Sequence, residues 1–256
     1  MSITDFSHGQ TSDDNFTEPS LLGFIRQRLT FLLNIMTIAL GINFGNYVLL
    51  AADTRTTFYN WAKQIIGYTD SSVKIQETSH GLITGAGRTD LLDAVKTRLE
   101  KEITNTDQIY EIIKEERLKS AKIPSIIEDD IGLTGWIYSY RTILNDAPKL
   151  RLDAVHPSLG EGLARWEENK AAIICPYEAK KDEADEIAAT VNGAIRPSTE
   201  FATIDESLQY HCQIVIKLIR QIQPKCPSVS RCCQMGIHIL NGSMSISPIM
   251  KIDEFP

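Results

Sequence analysis

The pattern of apolar and polar positions is clearest at residues 36–57, where two apolar runs, 38–42 and 47–52, flank the tetrapeptide Asn-Phe-Gly-Asn. Glycine and asparagine tolerate the positive φ of a tight turn, so the pattern predicts an antiparallel pair of strands. The second run is apolar throughout, as in a strand covered on both faces, and it ends at Asp53 and Arg55. The hairpin returns Asp53 to the neighbourhood of Thr37, and this proximity predicts a functional site.

Apolar periodicity predicts the other elements. Spacings of three and four residues predict helices at residues 21–35, 89–103, 107–119 and 205–222, the last with Thr203 as N-cap and Glu206 completing a capping box. Short apolar or alternating runs predict strands at residues 72–76, 81–84, 135–144, 149–155, 186–191, 236–240 and 243–252. Residues 56–67 have no clean period and are interpreted as a loop or a short strand pair. Helices between sets of strands in both halves fit two stacked sheets covered by helices.

Composition narrows the class of protein. The chain has 256 residues, of which 43% are apolar and 23% are charged, as is ordinary for a soluble globular protein. A net charge of −7 argues against nucleic acid as a partner, since phosphate binding requires a basic face. No run of about 18 uninterrupted apolar residues is present, so no membrane span is expected. Five cysteines without a secretory signal indicate a reducing compartment, and we expect a cytoplasmic protein.

Three of the cysteines, Cys226, Cys232 and Cys233, lie close in sequence to His238. They do not form the spaced pairs that are typical of zinc sites, and the adjacent Cys232 and Cys233 would face opposite sides of a strand. We therefore expect neither a metal nor a cofactor.

Four segments carry a family resemblance: Thr-Ile-Ala-Leu-Gly-Ile from residue 37, Val-Leu-Leu-Ala-Ala-Asp-Thr-Arg-Thr-Thr from residue 48, Asp-Ser-Ser-Val-Lys-Ile from residue 70 and Gly-Leu-Ile-Thr-Gly-Ala-Gly from residue 81. They resemble the β-type subunits of proteasomes, which are N-terminal-nucleophile hydrolases and include the peptidase subunit of the bacterial heat-shock protease and related bacterial proteasome homologues. The resemblance covers residues 37–103 well, and the later residues mainly in the order of elements. It implies an α+β fold, a four-layer αββα sandwich at residues 37–256, with an insertion at 158–185.

The same resemblance makes Thr37 the nucleophile, with its own α-amine as the base once residues 1–36 are removed. Those residues are either a propeptide or an extension assigned in error upstream of Met36 as the true initiator. Lys74 is then the lysine beside the nucleophile, where its charge lowers the proton affinity of the hydroxyl and of the amine. Asp53 pairs with Lys74 and keeps it charged and oriented.

The resemblance implies two further residue roles in the first half of the chain. Gly85 is the oxyanion-hole donor, although the register can slip to Gly87, and a glycine at either position lets backbone N–H groups approach a substrate carbonyl. Thr57 contacts an extended peptide through its backbone, as in strand addition.

The second half of the chain matches the family less well. Asn192 stands where the family places a Ser-Gly pair, and Ser228 and Ser230 stand where it places an Asp-x-x-Ser motif. The family's aspartate is missing here. Asn192, Ser228 and Ser230 are therefore candidate supporting residues.

The function that the resemblance implies is a threonine-type endopeptidase that acts on unfolded polypeptide. Its partners would be identical subunits in a self-compartmentalised, homo-oligomeric ring and an ATP-driven unfoldase. Two alternatives stay open. The degraded second half favours a catalytically inactive ring subunit of the same fold, and nucleophile chemistry of this kind also serves small-molecule amidases.

Overall fold

The computed structural model describes residues 37–60, 64–101, 105–123, 131–156, 162–176 and 179–255. Its thirteen strands are β1 Ala39–Asn43, β2 Tyr47–Asp53, β3 Thr56–Tyr59, β4 Ile65–Thr69, β5 Gln76–Glu77, β6 Leu82–Ala86, β7 Gly135–Leu144, β8 Ala147–Val155, β9 Ala164–Trp166, β10 Ala171–Ile174, β11 Cys232–Ile239, β12 Met244–Ile246 and β13 Met250–Lys251. Four α-helices are described in full: α1 Thr89–Lys101, α2 Gln108–Ala121, α3 Lys181–Ala194 and α4 Ile204–Ile222. The predicted propeptide or extension at 1–36, with its helix at 21–35, lies outside the described residues.

The strands form three antiparallel sheets. The first has the order β10-β1-β2-β11-β12, and β13 also pairs with β11. The second has the order β5-β6-β7-β8-β9, and β3 and β4 form a separate two-stranded sheet. The strand-pair alternative for residues 56–67 is thus the correct one, with β4 continuing to Thr69.

The predicted N-terminal hairpin is confirmed. Strands β1 and β2 are antiparallel, and Ala39 lies opposite Ala52. Gly45 has a φ of 82°, in the region that favours glycine, and Phe44 N donates to Tyr47 O at 2.9 Å across the turn. The register places the end of β2 beside the start of β1.

The predicted helices at 89–103, 107–119 and 205–222 correspond to α1, α2 and α4. The predicted N-cap of α4 is confirmed, because Glu206 N donates to Thr203 Oγ1 at 3.1 Å. The Glu206 carboxylate in turn accepts from Ala202 N at 3.1 Å. No helix among the described residues is long and apolar enough to span a bilayer.

The prediction of a strand at residues 186–191 is wrong, because these residues are helical, within α3. Alanine and glutamate favour helix, and Ile187 and Val191, one turn apart, both pack against the core of the first sheet. The predicted insertion at 158–185 contains β10, which pairs with β1 in the first sheet.

The prediction of an α+β, four-layer αββα sandwich is also wrong. The described chain has thirteen strands in three antiparallel sheets, rather than in two stacked sheets, together with four α-helices that are described in full. The sequence pattern predicted nine strands and four helices, missed β9 and β10, and did not separate the β3–β4 pair from the larger sheets. Short strands leave little periodicity to detect, which accounts for these omissions.

The two larger sheets share an apolar core. Its residues include Val48 and Leu50 from the first sheet and Leu82, Ile137 and Leu152 from the second. Side chains of the second sheet pack directly on Gly41, where an added Cβ would lie 2.7 Å from Ile137 Cγ2. Helices α3 and α4 pack with strands of the first sheet, and α1 and α2 pack with strands of the second. This framework fixes the position of Asp53.

Candidate active site

Asp53 ends β2, and its fully buried carboxylate accepts three backbone hydrogen bonds. The donors are Ile38 N to Oδ1, and Arg55 N and Ser230 N to Oδ2, each at 3.0 Å. The two residues are joined by a second hydrogen bond, in which Asp53 N donates to Ile38 O at 3.2 Å. One carboxylate therefore joins the start of β1, the segment after β2 and the loop before β11.

Burial dominates the acidity of Asp53. Desolvation raises the pKa of its carboxyl group to about 6, against the lowering effects of the Lys74 charge and of the three backbone donors. The group is thus mostly ionised at neutral pH, but its pKa lies close enough to neutrality for mild acid to protonate it.

Lys74 is also buried, and its ammonium donates to Thr56 Oγ1 at 3.5 Å. Among the described residues, no direct ion pair joins Lys74 to Asp53, so the predicted pairing acts through space rather than by contact. Desolvation lowers the pKa of Lys74 to about 8, partly offset by the Asp53 carboxylate. The ammonium is therefore charged at pH 7 but can lose its proton in mildly alkaline solution.

Thr37 is fully buried in the complete chain, and its hydroxyl donates to Arg55 O at 3.5 Å. Arg55 supports this region through a bidentate ion pair with Asp70, at 2.7 and 2.8 Å, and lies 3.8 Å from the ring centroid of Tyr68. Its guanidinium also donates to Pro227 O. Arg55 thus ties the Thr37 neighbourhood to two other segments.

The glycines of the 81–87 motif have packing reasons of their own. A Cβ at Gly85 would lie 2.5 Å from Gly135 O and 2.7 Å from Leu92 Cδ2, so β6 requires glycine there to approach β7 and α1. Gly87 has a φ of 119° and lies against Thr134. Their role as oxyanion donors stays a prediction.

Thr57, the predicted substrate contact, lies in β3 opposite Tyr68 and is buried. Its hydroxyl has no hydrogen-bond partner within the described part of the chain. Strand β3 pairs with β4 along one edge, and no other described strand pairs with it. The contact with an extended peptide stays a prediction.

The candidate supporting residues from the second half of the chain lie in two different parts of the structure. Ser230 belongs to the site, because its backbone N–H binds Asp53. Its hydroxyl oxygen accepts a hydrogen bond from Thr54 N at 3.2 Å, and the hydroxyl donates to Cys232 O at 2.6 Å. Ser228 is also fully buried, two residues earlier in the same loop.

Asn192 lies elsewhere, contrary to its predicted supporting role. It is near the end of α3, where its Oδ1 accepts from Ala171 N at 2.9 Å. Ala171 pairs with Ile42, at the hairpin end of β1, whereas Thr37 precedes the opposite end. Because α3 replaces the expected strand, the equivalence with the Ser-Gly pair does not hold.

Comparison with solved structures finds distant likenesses, of which one is described. A mutant of Anbu from Hyphomicrobium sp. strain MC1 matches with a TM-score of 0.56 and 14% sequence identity, over 84% of this chain and 87% of that chain. At this identity the likeness concerns the fold alone. No family model matches the sequence, and no curated protein matches it.

Two residues near the site were not predicted. Gln234 on β11 and Lys96 on α1 both hydrogen-bond the backbone of Lys74. A signal for Lys96 existed, since it lies next to the apolar helix face that includes Leu92 and Leu99. Gln234 lies outside the predicted strand at 236–240, because β11 begins earlier, at Cys232. No cluster of metal-ligating side chains occurs within the described ranges.

Proposed function

We propose that this chain is an amide-bond hydrolase of the threonine peptidase type, with Thr37 as its nucleophile after residues 1–36 are removed. The observation that carries the proposal is the hydrogen bond from Ile38 N to Asp53 Oδ1 at 3.0 Å. It fixes the residue that follows the nucleophile, next to a buried lysine whose charge the same carboxylate attracts. This arrangement supports the proposal, because Asp53 contacts the residue after Thr37 and also attracts the buried Lys74 charge.

The chemistry requires a free α-amine. In the complete chain, the Thr37 nitrogen is acylated by Met36 and cannot act as a base. Once free, an amine with a reference pKa of about 8 can take the hydroxyl proton while Oγ1 attacks the substrate carbonyl carbon. The C–N bond then breaks, the leaving amine takes the proton, and an ester on Thr37 remains. Water hydrolyses that ester with the same amine as base.

Lys74 supports this chemistry electrostatically. A cation near Thr37 lowers the proton affinity of both the hydroxyl and the amine, which makes the nucleophile easier to activate. The backbone N–H of Gly85 or of Gly87 is proposed to stabilise the oxyanion. The substrate is proposed to be an extended polypeptide added along the free edge of β3.

Intact-mass and N-terminal sequence determination tests the proposal. We expect the active protein to begin at Thr37 and to hydrolyse a fluorogenic peptide. The complete chain should be inactive, because its Thr37 is buried and lacks a free amine. Peptide hydrolysis by protein that retains residues 1–36 would remove the proposed base from the mechanism.

One observation favours the competing hypothesis of a catalytically inactive subunit. The Ser230 hydroxyl is bonded within its own neighbourhood, to Thr54 N and Cys232 O, and so is not directed at the Thr37 amine. A protein that begins at Thr37 and hydrolyses neither peptides nor small amides would support this hypothesis. Hydrolysis of small amides alone would identify an amidase. The ring, the polypeptide substrate and the unfoldase partner stay predictions.

The pH dependence of hydrolysis is expected to report Lys74. Activity should fall above about pH 8, because the pKa of Lys74 is about 8 and its neutral form supplies no positive charge. The charged groups that act on this ammonium are Asp53, Lys96 and Asp93. In Lys74→Arg the side chain stays protonated, so this alkaline limb should disappear even if the rate is lower. A profile of kcat/KM against pH measures both, and an unchanged limb in the arginine variant would assign it to another group.

A further inference from the structure

Lys74 lies in a segment without regular secondary structure. Residues 71–75, between β4 and β5, belong to neither strand. The Lys74 side chain is nevertheless only 4% exposed, and its ammonium lies within reach of Thr56. A long, flexible side chain on an irregular segment has little intrinsic reason to keep one position, so other groups must hold its backbone.

Gln234 fixes this segment by hydrogen bonds to its backbone N–H groups. Its Oε1 accepts hydrogen bonds from Lys74 N and from Ile75 N, each at 3.0 Å. The orientation of the side-chain amide follows from chemistry, because two N–H donors require the oxygen and not the nitrogen. The Gln234 Nε2 donates to Ser247 O at 3.4 Å. The side chain is therefore fixed at both ends and is only 5% exposed.

Gln234 also links the segment to the strand that carries Asp53. It lies on β11 opposite Ala52 of β2, and the preceding residue of β11 lies opposite Asp53. A displacement of Gln234 would therefore change the separation between Lys74 and Asp53.

Lys96 holds the same residue from the carbonyl side. Its ammonium donates to Lys74 O at 2.9 Å, across from α1. Lys96 is 6% exposed, and within the described ranges no carboxylate forms an ion pair with it. Its attractive partner is Asp93, one turn earlier on the exposed side of α1. A buried cation without an ion pair opposes folding, so its presence indicates a role other than stability.

We propose that Gln234 and Lys96 are positioning residues that fix the Lys74 peptide from its N–H and its C=O, and so aim the Lys74 ammonium at the nucleophile region. The expected effect on catalysis rests on the proposed function. The positioning of Lys74 by Gln234 and Lys96 does not depend on that function. Lys96 also places a second positive charge beside Lys74. That charge acts with burial to lower the pKa of Lys74, against the effects of Asp53 and Asp93.

The test compares Lys96→Met and Gln234→Met with the wild type in the complete chain. The titration of Lys74 is followed by NMR on protein carrying carbon-13 at lysine Cε, with Lys74→Arg used to assign the resonance. We expect Lys96→Met to raise the pKa of Lys74, because a neighbouring cation is lost. We expect Gln234→Met to accelerate hydrogen exchange at the Lys74 and Ile75 amides, which lose their acceptor. Lys101→Met, an exposed position on α1, is the matched control and should change neither quantity.

In protein that begins at Thr37, both methionine variants should lower kcat by roughly tenfold to a hundredfold with little change in KM, as expected when a catalytic group is misplaced. Lys96→Arg should restore most of kcat, because it keeps both charge and donor. If a methionine variant does not fold, Lys96→Gln keeps a donor without the charge and should still raise the pKa of Lys74, and Gln234→Glu keeps the acceptor and should leave exchange at both amides slow.

A purely structural role gives a different result. Lower thermal stability in the methionine variants, with Lys74 titration, amide exchange and kcat per folded molecule unchanged, would overturn the inference. The two proposals fail separately. If the wild type hydrolyses nothing, the proposed function fails, while the NMR titration and the amide exchange still decide whether Gln234 and Lys96 position Lys74.

Discussion

Replacing Thr37 by alanine, in a chain that begins at residue 37, is expected to lower peptide hydrolysis by roughly 10⁴-fold or more, as for other enzymes that lose their nucleophile. The variant keeps the α-amine and the hydrogen bond from Ile38 N to Asp53, so the site should fold normally. Only the Oγ1 that forms the acyl ester is lost. Steady-state rates and the mass of a trapped acyl-enzyme measure the effect together.

Two variants control this experiment. Thr37→Ser keeps a hydroxyl in the same place and should retain measurable activity and form the ester. Thr142→Ala removes a threonine from the distant end of β7 and should behave as the wild type. Residual hydrolysis by the Thr37→Ala variant at more than about a hundredth of the wild-type rate would exceed what lost nucleophiles leave, and would place the nucleophile elsewhere.

The sequence was most informative where local pattern and chemistry coincide. Two apolar runs around Gly45 predicted the hairpin, and the abrupt change to Asp53 located the charged end of β2. Lys74 stands out because the segment around it, residues 70–75, resembles a motif of proteasome β-type subunits, and the structure buries Lys74 near enough to Asp53 for the two charges to interact. Such signals are contained in a few neighbouring residues, and they need no knowledge of how distant segments pack.

The parts that could not be predicted depend on distant contacts. Strand β10 is only four residues long, and what defines it is its pairing with β1. Segment 186–191 has apolar residues that fit either a strand or one face of a helix, and its contacts with the first sheet decide between them. The roles of Gln234 and Lys96 likewise arise from tertiary hydrogen bonds to Lys74, 160 and 22 positions away.

Replacing Asp53 by alanine is expected to have the largest effect on stability. Three backbone N–H groups would lose their shared acceptor in the interior, and each buried donor without a partner costs about 1–3 kcal/mol. Removal of a desolvated carboxylate offsets part of this cost at neutral pH. We therefore expect a loss of roughly 2–4 kcal/mol in the free energy of unfolding at pH 7.5. Asp90→Asn, at a half-exposed ion pair with Arg88, should cost at most about 1 kcal/mol.

The pH dependence of this loss distinguishes the buried carboxyl group from a simple cavity. The folded-state pKa of Asp53 is about 6, above its ordinary value of 3.8, so the folded wild type holds this proton more tightly than the unfolded chain does. The resulting stability is complete below about pH 4 and is lost as the pH rises through 6. The difference between these two pKa values corresponds to about 3 kcal/mol of folding stability in acid, and the Asp53→Ala variant lacks this contribution.

The destabilisation by Asp53→Ala should therefore be larger at pH 4 than at pH 7.5. Lys74 acts in the same direction, because without the carboxylate its pKa falls further, and the variant loses stability when acid protonates this buried amine. Denaturant unfolding at the two pH values measures the difference, and adding Lys74→Met to Asp53→Ala should remove the part due to the lysine. An equal loss at both pH values would mean that the Asp53 carboxyl group titrates alike in the folded and unfolded chains, and a larger loss at pH 7.5 would mean that its ionised form stabilises the fold.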